Sequence, residues 1–146
     1  MKKAVVLAAI LTLTALDDGN AQDRSKLLNV KRIYVADLGK EEGSDIVKEK
    51  IKLLLMKSER FTVVESRENA DALLVGAAGV NSRGAGAAVG AGVLRLVDPK
   101  SEETIWVYEY SRPLMAFGSE ANRIAEKTVD KLKGDAKKAE KQKKGN

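Results

Sequence analysis

Asp71-Ala72-Leu73-Leu74-Val75-Gly76-Ala77-Ala78-Gly79-Val80 is the stretch on which the fold turns. After Asp71 it is an unbroken run of apolar residues and glycine. Such a run reads as a strand buried on both faces, and therefore as a central one. The small residues Gly76–Gly79 weaken intrinsic strand preference, so close packing or a bulge is expected there.

Working downstream, Gly84-Ala85-Gly86-Ala87-Ala88-Val89-Gly90-Ala91-Gly92 is of low complexity. Asn81–Gly92 as a whole reads as a flexible bridge. Val93–Asp98 is the next strand. Asp98-Pro99-Lys100-Ser101-Glu102-Glu103 is a turn, because Pro99 presets φ and Asp98 can accept backbone hydrogen bonds. Glu103–Ser111 alternates strictly, with Trp106, Tyr108 and Tyr110 on one side and Ile105, Val107 and Glu109 on the other. So short a turn makes these two strands an antiparallel hairpin. Arg112–Gly118 is a loop and Ser119 a helix cap. Ala121, Ile124, Ala125, Thr128, Val129 and Leu132 recur at helical spacing.

Upstream, Val30–Asp37 is β-branched and alternating, hence a strand. Leu38–Gly43 is a turn, and Ser44 or Asp45 is placed to cap a helix over 44–58. Ile46, Val47, Ile51, Leu54 and Leu55 are read as its buried face. Phe61–Glu65 is a short strand, and Ser66–Ala70 a polar turn with room for one helical turn. These elements predict one α/β domain over residues 30–133. Its sheet is mixed, of about five strands in the chain pattern β-α-β-β-β-α, with two packed helices. The expected strand order is 2-1-3-4-5, with strands one to three parallel and four and five an antiparallel extension.

The ends read differently. Met1-Lys2-Lys3, the apolar run Ala4–Leu16 and the small residues Gly19 and Ala21 have the form of a signal peptide, residues 1–21, cleaved near Ala21. The run is shorter than the ~20 residues a membrane span needs. Residues 22–29 are a polar lead. Residues 134–146 are lysine-rich without a large apolar side chain, so disorder is expected. The formal charge of +5 resides in residues 131–146, where seven lysines stand against Asp135 and Glu140. Residues 22–130 are balanced, which argues against a nucleic-acid-binding face.

The chain has neither histidine nor cysteine. That removes the usual zinc ligands, thiol nucleophiles, disulfides and every Ser-His-Asp arrangement. No serine stands three residues before a lysine. Gly84-x-Gly86 is followed by Val89 and then a strand, so neither a dinucleotide fingerprint nor a P-loop is present. No cofactor is expected. The carboxylates Asp37, Glu41, Glu42 and Asp98 are the remaining catalytic candidates; with strands one and four as neighbours, Asp37 and Asp98 could lie near the same sheet edge, although both sit at strand-to-turn junctions where aspartate normally caps amides. An aromatic stripe at strand spacing is more often covered by a helix than left as a sugar platform. The residues singled out for interaction are therefore Arg83, Gly84, Gly86 and Val89 of the bridge, Trp106, Tyr108 and Tyr110, and Lys137, Lys138 and Lys141 of the tail.

The order Ile33-Tyr34-Val35-Ala36-Asp37-Leu38, helix, Phe61-Thr62-Val63-Val64-Glu65, Ala70–Gly76, Leu94-Arg95-Leu96-Val97-Asp98 and Ile105-Trp106 resembles the periplasmic domain of curli-secretion channel (CsgG-like) proteins. It is also similar to the amino-terminal domain of the TolB group and of penicillin-binding-protein activator lipoproteins. The resemblance implies a non-enzymatic component of envelope assembly. The chain departs from the channel subunits in lacking the acylated cysteine, and Asn81–Gly92 is too short for a membrane hairpin. The expectation is a periplasmic or secreted, non-catalytic assembly or accessory binding protein with an envelope protein as partner. The alternatives are a binder of anionic lipid, lipopolysaccharide or glycan, through the tail or the aromatic strand, and a carboxylate-dependent hydrolase. Neither nucleic acid nor a membrane span in the mature chain is expected.

Overall fold

The computed structural model describes residues 24–83, 87–113 and 120–145. The signal-peptide reading of residues 1–21 and the cap at Ser119 lie outside the described residues. A single helical turn, α1 (Arg24–Leu27), leads to β1 (Arg32–Val35), α2 (Ser44–Lys57) and β2 (Thr62–Val63). A tight turn at Arg67–Asn69 precedes β3 (Ala72–Arg83), β4 (Ala87–Val97), β5 (Thr104–Pro113) and α3 (Glu120–Lys144). The sheet runs β2-β1-β3-β4-β5. β1 is parallel to β2 and β3, whereas β3–β4 and β4–β5 are antiparallel. This is the α/β mixed sheet the sequence predicts, in the predicted order.

Alternation along the strands sends Ile33, Val35, Leu74, Ala78, Leu94, Leu96 and Trp106 to one face of the sheet. There they meet Val47, Ile51 and Leu55 of α2 and Ile124, Ala125, Val129 and Leu132 of α3 in one core. The two helices also pack on each other, and α1 packs on α3 and β5.

Two glycines of β3 are required by close approach. Gly76 has φ 138°, and a Cβ there would lie 2.0 Å from the Val93 carbonyl oxygen. A Cβ on Gly79 would lie 2.5 Å from Cβ of Glu41. The reason is that the chain after β1 stays beside β3: Ala78 N–H donates to Leu38 O at 3.0 Å and Val80 N–H to Glu42 O at 2.8 Å.

Several expectations are corrected. Residues 81–83 and 87–92 of the expected bridge are paired strand: β3 and β4 pair in register from Leu73↔Val97 to Arg83↔Ala87, and residues 84–86 lie outside the described residues. Glycine and alanine have little side chain to signal a strand, but nothing prevents their backbones from pairing. The polar lead contributes α1, with Leu27 and Val30 buried. Ser44 does not cap α2; its hydroxyl donates to Gly39 O at 3.0 Å, and the cap position is Gly43 with φ 75° and no side-chain hydrogen bond. Ile46 is 56% exposed rather than on the buried face. Most consequential, α3 does not end at Gly134. It continues to Lys144, with Asp135, Ala136 and Ala139 buried, where the sequence led us to expect a disordered tail.

Candidate interaction surfaces

Among the described residues, the singled-out side chains and their neighbours gather at the underside of α3, at a charged groove at one end of the sheet, and on the lysine side of α3.

The aromatic residues of β5 lie under α3. Trp106 is fully buried, and its indole N–H donates to Asp135 Oδ2 at 3.0 Å. Tyr110 is buried and donates its hydroxyl to Glu120 Oε2 at 3.1 Å. Tyr108 is half-buried and stacks on Trp106 with ring centroids 6.0 Å apart. The stripe therefore anchors the helix at two points and presents no open platform to a sugar. Burial works to raise the Asp135 carboxyl, but hydrogen bonds from Trp106 and Lys131 and the nearby charge of Lys131 and Lys138 hold it below its ordinary value. Sequence reasoning missed Asp135 because an isolated Asp among lysines reads as solvent-facing; its signal was its place three residues after Leu132, on the same helical face.

At the end of the sheet where β1 and β3 begin, Lys26, Arg32, Arg67, Glu68, Asp71, Asp98, Pro99 and Lys100 line an open groove of about 1020 Å³. Its carboxylates are committed. Asp71 accepts from the backbone amides of Lys31 and Arg32 at 3.0 and 2.8 Å and from the Arg32 guanidinium at 2.8 Å. The Arg32 hydrogen bond, the larger effect, outweighs burial and keeps the Asp71 carboxyl below the usual range. Asp98 accepts from the amides of Ser101 and Lys100 at 2.9 and 2.8 Å, which lower it likewise. Glu68 accepts from the Ser66 hydroxyl and is lowered by it. These groups stay ionised near neutrality, Asp71 tying β3 to the start of β1 and Asp98 closing its own turn; a general acid would need one of them raised.

Asp37 sits apart. It pairs with Lys48 at 2.5 Å, and that hydrogen bond lowers its carboxyl. It follows β1, whereas Asp98 follows β4, which runs the opposite way, with β3 between them. The two aspartates are thus at opposite ends of the sheet, and the condition for a carboxylate pair fails. Among the described residues no three acidic groups converge as a metal site would require.

Lys137, Lys138 and Lys141 are exposed on α3. Lys133, Lys137, Lys141 and Lys144 recur at intervals of three or four residues, opposite the buried side formed by Leu132, Asp135, Ala136 and Ala139. Of the bridge residues, Arg83 ends β3 and Val89 lies in β4 opposite Asn81 and Pro113, with their side chains outside the description; Gly84 and Gly86 lie outside the described residues. Among the described residues no helix is long and apolar enough to cross a membrane.

No family model and no curated protein matches this sequence. Solved structures do. A singly substituted PelC dodecamer from Paraburkholderia phytofirmans superposes with a TM-score of 0.54 at 13% identity, covering 70% of this chain and 88% of that one. The PelC dodecamer from the same organism in another space group gives 0.50 at 14% identity, covering 68% and 82%. At that identity what is shared is the fold.

Proposed function

We propose that this protein is a non-catalytic component of the cell envelope, exported through its N-terminal segment, that works by holding a protein partner in an assembly. The observation that carries the reading is the fold shared with PelC, whose structures are dodecamers, in a chain that begins with an export-type sequence. The resemblance to curli-secretion and TolB-type domains belongs to the same proposal. The chemistry fits: the acidic groups of the groove and Asp37 are engaged by amides and cations, and the aromatic stripe is spent on anchoring α3. The experiment is affinity capture of the tagged protein from crosslinked envelope extract. One defined envelope protein in fixed stoichiometry is expected. Absence of any partner, with the protein monomeric by light scattering, would contradict it.

A second reading is favoured by one feature, the ordered lysine stripe of α3. Four ammonium groups aligned opposite the packed side can approach an anionic surface together, each adding about 1 kcal/mol there. Deleting the tail would also remove Asp135 and so disturb the core. Replacing Lys133, Lys137, Lys141 and Lys144 by Gln instead leaves the packed side intact. Loss of salt-sensitive binding to vesicles containing lipopolysaccharide supports this reading, and unchanged binding sinks it.

A further inference from the structure

The helices cover one face of the sheet, and the opposite face carries the wrong residues for water. On an antiparallel sheet with one solvated side, outward positions are normally polar. Leu73 and Val97, at one end of that face, are buried, but further along β3 turns the half-buried Val75 and the exposed Ala77 outward, and β4 turns Val93. Val93 is 49% exposed and Val107 of β5 is 36% exposed. Register places them together: Val75, Arg95 and Val107 stand in one row across the strands, and Ala77, Val93 and Glu109 in the next. Arg95 and Glu109 are both exposed, on the diagonal of this patch. Among the described residues neither has an ion-pair partner.

We propose that this face is a two-fold interface between two copies of the chain. A symmetry axis lying in the contact plane along the Val93–Val107 diagonal stacks each of these valines on its own mate. The same rotation carries Arg95 over the partner's Glu109 and Glu109 over the partner's Arg95, so one patch supplies both halves of two ion pairs. The strands of the two sheets then cross steeply, in the orthogonal class of sheet packing. The Arg95 stem covers valine methyls while its guanidinium reaches the rim. The charge pattern is what selects a second copy: the patch is complementary to itself. The proposal is independent of the envelope reading.

The test is sedimentation equilibrium of the protein expressed as the full chain. The wild type is expected to associate as a dimer or as an assembly of dimers. Arg95→Glu and Glu109→Arg should each weaken association about tenfold or more by juxtaposing like charges, and the double reversal should recover most of it. Val93→Asp should abolish it. All three positions are exposed, so unchanged far-ultraviolet circular dichroism verifies the fold of each variant. A monomeric wild type, an assembly indifferent to the single reversals, or a double reversal no tighter than the singles would each overturn the proposal.

Discussion

The same substitution should act in opposite directions at two glycines. Gly76 needs a positive φ and faces the Val93 carbonyl, so Gly76→Ala is expected to lower stability by roughly 3 kcal/mol or more through strain and overlap. Gly134 lies inside α3 with nothing within 4 Å of its missing Cβ, and Gly134→Ala should raise stability by about 1 kcal/mol. Urea titrations of both variants check the pair. Asp71 gives the pH dependence at this scale. Because its carboxyl is depressed in the folded state, the native chain binds that proton less tightly than the unfolded chain. Its contribution is complete above the ordinary carboxylate range and is lost as pH falls through the lowered folded value. Stability should therefore fall below about pH 4, and Asp71→Asn should flatten that acid limb in denaturation measured from about pH 5 to 2. The capping character of Asp98 was legible in the sequence, as an Asp before Pro and Ser in a turn. The roles of Asp71 and Asp135 were not, because their partners lie far along the chain, at Arg32 and Trp106.

Among the elements, α3 is the one the sequence undervalued. Its first half carries an apolar stripe that any periodicity analysis finds. Its second half is held by small buried alanines, by the Trp106–Asp135 hydrogen bond and by Arg60, whose Nη1 reaches Glu140 at 2.8 Å. Asp135→Ala leaves a buried indole N–H without its acceptor and should cost about 1–3 kcal/mol, while Asp135→Asn, which keeps an acceptor, should cost less. Trp106 is the sole tryptophan of the chain, so its emission reports directly on docking of this half of the helix. Red-shifted emission in the Ala variant and not in the Asn variant is expected. The long β3–β4 hairpin was hidden for a related reason: glycine and alanine carry little strand propensity, and the pairing is fixed by register with a partner of the same kind. Where large apolar residues alternate, as in β5, element and face were both readable.

At the scale of the molecule, strand order and sheet type followed from run length, turn length and the rule for parallel connections. Surfaces did not follow, because exposure depends on which face the helices choose. Ile46 and Val93 look like core residues in sequence and stand at the surface in the fold. The picture that results is a sheet covered by helices on one face, with its carboxylates tied to cations and amides and some apolar residues left outward on the other face. The most direct test is crosslinking in living cells that express the full chain, followed by fractionation. The protein is expected in the envelope or periplasmic fraction, joined to a defined envelope protein in reproducible stoichiometry. Retention in the cytoplasm, or recovery from the envelope only as a 15.8 kDa or smaller species joined to nothing, would contradict it.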